Sequence, residues 1–387
     1  MNIREIDNKY VANTYARFPV TLVKGSGSLV YDESGKEYID MGSGIAVSSF
    51  GISDPVWKAA VEAQLDELTH TSNLYYTQPC ALLAQMLCER TGMKKVFFGN
   101  SGAEANECAI KAARRWSYLK NGDGRSTIIT LKNSFHGRTV TTLAATGQDS
   151  FHTEFGPFTE GFVYAEAENM ESVKKLAQEN SCCAIMMELV QGEGGVHALS
   201  KEFVNAVVEF AHANDMLVIV DEVQTGNGRT GSLYAFMEYG FMPDIVSTAK
   251  GLAGGLPLGA CMLGEKTENA LTAGTHGSTF GGNPVCCAGA ISVLERIDDE
   301  LLSQVKMKSK YILSRLEGAK GVKSVSGMGL MLGIECERAK AEVIGECMEN
   351  GVLVLGAKEK VRLLPALNIP MPLLEKAMDV LVEALAK

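Results

Sequence analysis

The sequence contains no spacing suited to a metal ion. Its ten cysteines include the adjacent pairs Cys182-Cys183 and Cys286-Cys287, yet C-x-x-C occurs nowhere. Its six histidines form neither H-E-x-x-H nor H-x-x-E-H, the helical spacings that turn two imidazoles toward one cation. Most of the cysteines stand in apolar or small-residue runs. They read as small buried hydrophobes of a reducing compartment, with no metal and no disulfide framework. A run of about 18 apolar residues, the length of a membrane-crossing helix, is also missing. Positive charge is in deficit: 36 Lys and Arg against 46 Asp and Glu leave a net charge of -10. That balance argues against nucleic acid or an anionic membrane as the main partner, because phosphate needs clustered cations. Met1 to Tyr10 carries Arg4, Glu5, Asp7 and Lys9 and no apolar core. It does not read as a signal peptide, and the cytoplasm is the expected compartment. No Walker-type sequence occurs, and no glycine fingerprint follows a first strand, which argues against a nicotinamide dehydrogenase.

What is present is an ordinary globular composition, 46% hydrophobic and 21% charged over 387 residues, long enough for two packed domains. Residues 20–40 read as a meander of short strands with turns at Gly25–Gly27 and Ser34-Gly35. From about residue 55 to 265, helical patterns alternate with apolar runs, the signature of a mostly parallel sheet. The expected strands are Lys95–Gly99, Thr127–Leu131, Ala184–Leu189, Leu217–Val220, Ile245–Ser247 and Gly259–Leu263. A helix is expected from Pro284 to about Ile297, followed by a smaller α+β region with strands near Val322–Val325, Gly329–Glu335, Val352–Val354 and Val361–Leu363.

Open α/β sheets place ligands at the carboxyl ends of their strands, and several polar residues fall there. Lys250 follows one such strand and precedes a glycine-rich stretch. Burial at a strand mouth lowers a lysine's pKa and leaves a free amine for imine chemistry. Asp221 ends the run Met216–Val220, where a carboxylate can pair with a pyridinium N–H. Taken singly it reads equally well as a structural strand-end residue. Gln224 and Val223 lie just beyond. Asn100-Ser101-Gly102-Ala103-Glu104 opens a helix: Ser101 with Glu104 is a capping box, and the same helix start points free N–H groups at an anion. Phe135 and Arg138 follow another strand, an aromatic to stack on a planar group and a fork for a carboxylate. Glu193 and Thr279 lie in glycine-rich loops, and Arg362 is a cation in a late strand. Each of these last three is unremarkable alone.

In order and spacing these segments resemble the class III (ω-amino acid) aminotransferases of pyridoxal 5'-phosphate (PLP) fold type I. The likeness runs from the meander near Lys24 to Arg362. It passes through Asn100–Asn106, Phe135–Arg138, Glu188–Gly195, Asp221–Gly226 with Gly228–Gly231, Thr248–Lys250 and Thr279–Pro284. Two positions depart from the family pattern: Leu189 stands where proline is usual, and Gly51-Ile52-Ser53-Asp54-Pro55 replaces a Gly-His-x-His-Pro.

The resemblance implies an α/β fold with a large PLP-binding domain at 53–297. A smaller α+β domain at 298–387 would be joined by an N-terminal segment at 1–52. It implies that Lys250 bonds the cofactor and shuttles the proton, that Asp221 pairs with the pyridinium, and that Gln224 lies near the phenolic oxygen. Phe135 and Val223 would sandwich the ring, and Ser101, Gly102 and Ala103 would cradle the phosphate. Thr279 would reach the phosphate of a neighbouring subunit in a homodimer with shared sites. Arg138 would grip the carboxylate of a long amino donor, and Arg362 that of 2-oxoglutarate, with Glu193 masking Arg362 while the donor is bound. Through Asn73–Tyr76 and the chain length, the resemblance favours N-acetylornithine as donor. Ornithine, succinylornithine, 4-aminobutyrate and glutamate-semialdehyde mutation stay open. A non-catalytic scaffold on this fold would be free to lose Lys250 or Asp221, and both are present.

Overall fold

The computed structural model describes residues 2–387; Met1, where the N-terminal segment was expected to start, lies outside them. The N-terminal meander forms β1 (Leu22–Ser26), β2 (Leu29–Asp32) and β3 (Glu37–Asp40). The central strands are β4 (Lys95–Gly99), β5 (Thr127–Leu131), β6 (Phe162–Ala165), β7 (Cys182–Met187), β10 (Leu217–Asp221), β11 (Ile245–Thr248) and β12 (Gly259–Leu263). Between β7 and β10 lies a small hairpin, β8 (Val190–Gln191) with β9 (His197–Ala198). The late strands are β13 (Val322–Met328), β14 (Met331–Cys336), β15 (Val352–Leu353), β16 (Leu355–Ala357) and β17 (Lys360–Leu363).

The central sheet has seven strands in the order β4-β12-β11-β10-β7-β5-β6. All run parallel except β12, which is antiparallel to both β11 and β4. Every residue of β7, β10, β11 and β12 is buried, as continuous apolar runs covered on both faces should be. The helix Gly102–Asn121 lies against β11 and β12 through Ala105, Cys108, Ala109, Ala112 and Ala113. These small side chains let its axis come close to the sheet. Because β4, β5, β7, β10 and β11 point the same way, their carboxyl ends share one edge, and the site lies there.

A second sheet, β13-β14-β17-β16, is wholly antiparallel and sets Arg362 opposite Gly333 and Leu355. The meander joins β15 by parallel pairing of Ile39 with Val352, so residues far apart in sequence share one four-stranded sheet. The strand expected at Ala184–Leu189 begins two residues earlier, at Cys182, whose buried thiol suits the strand, and Glu188 leaves it. The edge strand β6 carries no sequence expectation: four residues, three only half-buried, make a weak pattern. The helix from Pro284 ends at Glu295, two residues short of Ile297. All ten cysteines are free and eight are buried. Among the described residues no helix is long and apolar enough to cross a membrane.

Candidate active site

The strand ends enclose a cavity of about 540 Å³. Lys250 enters it directly after β11. Its φ of +46° is unusual for a residue with a Cβ, and the backbone beside it is held by Asn227. That side chain donates to Thr248 Oγ1 and to the Ala249 carbonyl, both at 3.1 Å. Loss of hydration pushes the Lys250 ammonium down to about 8; the Glu193 carboxylate opposes the shift and the Arg362 charge adds to it. An amine that is free near neutral pH is what imine chemistry requires.

Asp221 lies on the cavity floor, 3% exposed. Its Oδ2 accepts from Asn106 Nδ2 at 2.7 Å and faces His136 Nδ1 at 2.8 Å, while Oδ1 accepts from the Val223 amide at 3.0 Å. Asn106 also donates to the His136 carbonyl at 2.8 Å. His136 and Asn106 were not singled out from the sequence. One belongs to a helix interior and the other to a loop 30 residues on, and nothing local announces that both meet Asp221. Glu188, noted in the sequence only as the start of a motif, also lines the cavity. It accepts from the amides of Phe135 at 2.8 Å and Gly192 at 3.2 Å. Burial, and then the charge of Asp221, pushes its carboxyl well above the usual range.

Ser101, Gly102 and Ala103 line the opposite end. Ser101 Oγ accepts from the Glu104 amide at 3.2 Å, and Glu104 folds back onto the Asn100 amide at 2.5 Å. The first helical amides, Gly102 and Ala103, have no partner within the helix by geometry, which leaves donors and the positive dipole end for an anion. A Cβ on Gly102 would lie 2.7 Å from Val223 Cγ1, so the cradle closes if glycine is replaced. Phe135 and Val223 both border the cavity. Phe135 stacks edge-on against Phe151 with centroids 5.8 Å apart.

Two arginines differ in depth. Arg362 is 3% exposed; its Nη1 donates to Glu193 Oε1 at 2.6 Å and to Gln224 Oε1 at 3.3 Å, and its Nε is buried without a partner. Burial pushes the Glu193 carboxyl up, but the Arg362 charge outweighs it and the net shift is downward. Arg138 is exposed at the cavity rim, its guanidinium 4.5 Å from the Phe151 ring centroid and 5.7 Å from that of Phe135. Among the described residues it forms no ion pair. Thr279 is exposed and does not line this cavity within one chain. Its neighbour Ser278 accepts from Asn100 Nδ2 at 3.1 Å.

Gly226-Asn227-Gly228-Arg229-Thr230-Gly231 spells G-x-G-x-x-G. It runs through turns, with φ of +85° at Gly228 and +92° at Gly231, and the next helix begins only at Ala235. Without a helix start behind the glycines it offers no dinucleotide cradle.

A lysine with a lowered pKa, a buried carboxylate opposite it and a helix-start anion cradle fit PLP in one cavity. The family model Aminotransferase class-III matches residues 10–385, and the chain belongs to that family of PLP-dependent aminotransferases. Among its relatives, the acetylornithine aminotransferase of Haemophilus ducreyi is 49% identical over all of this chain and 98% of its own length. That of Caldanaerobacter subterraneus is 43% identical over 98% of both chains. Among solved structures, the ornithine aminotransferase of Toxoplasma gondii superposes with a TM-score of 0.95 at 30% identity, covering 99% of this chain and 94% of that one. The N-acetylornithine aminotransferase of Stenotrophomonas maltophilia does so with 0.85 at 32%, covering 99% and 98%.

Proposed function

We propose that this enzyme moves the terminal amino group of N-acetylornithine to 2-oxoglutarate, giving N-acetylglutamate semialdehyde and glutamate, a step of arginine biosynthesis. Bound PLP supplies an electrophilic carbonyl for the amine and a cationic ring that takes up electron density. Lys250 would bond the cofactor at rest and, once displaced, would carry the proton between the donor carbon and the cofactor. Asp221, aligned by Asn106 and His136, would hold the ring nitrogen protonated. Gln224 would donate to the phenolic oxygen, Phe135 and Val223 would hold the ring faces, and the Ser101–Ala103 amides the phosphate.

The observation that carries the two-substrate reading is the Arg362–Glu193 pair. The donor presents its reacting carbon far from its carboxylate, whereas 2-oxoglutarate presents it beside one. A buried arginine masked by a half-buried glutamate serves both: closed, it leaves a neutral surface for the chain of the donor, and open, it binds the keto-acid carboxylate. Leaving either charge buried alone would cost several kcal/mol. Arg138, a rim cation without an ion-pair partner among the described residues, suits the donor's far carboxylate, whose neighbouring nitrogen is neutral when acetylated. The high structural similarity to an ornithine aminotransferase favours ornithine as the second reading. The identity to acetylornithine enzymes supports the first.

The test is the visible absorption of the PLP-loaded protein. N-acetylornithine should bleach the cofactor band and 2-oxoglutarate should restore it. A band that ignores this donor and answers ornithine replaces the substrate. Arg362→Ala should abolish the 2-oxoglutarate half-reaction and leave the donor half-reaction largely intact; equal loss of both would sink the masking scheme. A homodimer in the cytoplasm completes the proposal, the compartment supported by ten free thiols.

A further inference from the structure

Among the described residues, two buried cations outside the cavity, Arg229 and Lys308, form no ion pair with a carboxylate. Arg229, 2% exposed, sits in the loop that follows Asp221 and carries Val223 and Gln224. Its Nη1 donates to the carbonyls of Leu330, at 3.2 Å, and Pro365, and its Nη2 is buried without a partner. Burial pushes its guanidinium down to about 9, with the charge of Asp40 opposing. Lys308, 3% exposed on the helix Asp299–Leu316, donates to the Leu367 carbonyl at 2.8 Å, and burial pushes it down to about 8. Burying a cation against carbonyls alone is expensive, so both positions call for a reason.

The carbonyls supply it. Leu330 immediately precedes β14, and Pro365 and Leu367 follow β17; β14 and β17 are the paired strands on which Arg362 lies opposite Gly333. Other polar groups of the segment after β17 are also tied to distant parts of the chain. Ser43 Oγ donates to the Leu364 carbonyl at 2.5 Å, the Leu364 amide to Met41 at 2.7 Å, and the Leu367 amide to Ser49 at 2.8 Å. The Leu330 amide returns a bond to the Arg229 carbonyl at 2.9 Å. Gly329, with φ of +59°, permits that approach, since a Cβ there would lie 2.5 Å from the Arg229 carbonyl oxygen.

We infer that Arg229 and Lys308 are positioning residues for keto-acid recognition: Arg229 fastens the ends of β14 and β17 to the loop after β10, Lys308 holds the segment after β17 against the helix Asp299–Leu316, and together they set the depth of Arg362. The inference rests on the reading of Arg362 as the 2-oxoglutarate arginine. Lysine in place of Arg229 ends one bond short of the Nη1 that donates to both carbonyls, and methionine in place of Lys308 keeps the volume but loses the donor. Neither change touches Lys250, Asp221 or the cradle.

The test measures both half-reactions of PLP-loaded Arg229→Lys, Lys308→Met and Arg362→Ala, together with thermal unfolding. A displacement of Arg362 by a fraction of an ångström should raise the KM for 2-oxoglutarate about tenfold in each positioning variant and leave the donor half-reaction within about twofold. Equal slowing of both half-reactions, or an unchanged KM for 2-oxoglutarate, overturns the inference and leaves a purely structural role. If Arg229→Lys does not fold, Lys308→Met decides alone. Should Arg362→Ala itself spare the 2-oxoglutarate half-reaction, the reading of Arg362 has failed, a result separate from failure of the positioning.

Discussion

A lysine acts as a nucleophile near neutral pH only where its ammonium form is made costly. Lys250 meets that condition by losing hydration, and its pKa of about 8 has a kinetic signature. A lowered pKa means that the free amine dominates above about 8, whereas an exposed lysine waits until about 10.4. Capture of PLP by the apoprotein should therefore speed up about tenfold per pH unit below 8 and level off above it. Stopped-flow absorbance at several pH values reads this directly, and a rate still climbing at pH 10 would contradict the shift. Charge at a strand end marked Lys250 and Asp221 as candidates in the sequence, and the order of the surrounding motifs singled them out; Arg362, unremarkable alone, was legible only through the resemblance. His136 and Asn106 were not legible. Their importance comes from meeting Asp221 across separations of 85 and 115 residues, which no local pattern encodes.

At the scale of elements, the start of the helix Gly102–Asn121 was readable from Ser101 and Glu104, and the structure adds why Gly102 matters. Alanine is the better helix former, so Gly102→Ala should not weaken the helix itself. Its methyl group would press on Val223, 2.7 Å and 2.9 Å from the two γ carbons, and a β-branched side chain has little freedom to turn aside. The overpacked contact should cost the apoprotein roughly 1–3 kcal/mol of stability, read as a lower unfolding temperature, and PLP affinity should fall about tenfold as Val223 is pushed out of place. Equilibrium titration with PLP decides, and wild-type affinity would show that the cradle tolerates the methyl. The strands β4, β5 and β12 matched their sequence patterns because each is a short, mostly apolar run bounded by polar or glycine-containing stretches. β6 did not, since an edge strand of four residues needs only one buried position, too few to mark a period.

At the scale of the whole molecule, Thr279 stands apart: exposed and outside the cavity of its own chain. If it serves the phosphate of a partner subunit, as proposed through the homodimer, complementation follows. Lys250→Ala subunits are expected to be inactive and Thr279→Ala subunits to bind PLP poorly. A mixed dimer would hold one site with both residues intact. Activity should reappear when the two variants are unfolded and refolded together, and a mixture no better than its parts would place Thr279 outside the partner's site. Neither the pairing of Ile39 with Val352 nor the joining of the meander to the late strands could be read from periodicity, which reports faces and not neighbours.

The unequal exposure of the two arginines has a consequence in ionic strength. Mobile ions screen charges over about 10 Å at 0.1 M salt and about 3 Å at 1 M, but they act on what they can reach. Arg138 stands in solvent, while Arg362 is enclosed beneath Glu193. Chloride should therefore compete with the amino donor and raise its KM several-fold between low and high salt. The keto acid, bound behind the protein's own counter-ion, should lose much less. Steady-state measurement of both substrates across a potassium chloride series would separate the outer cation from the inner one without altering a single residue.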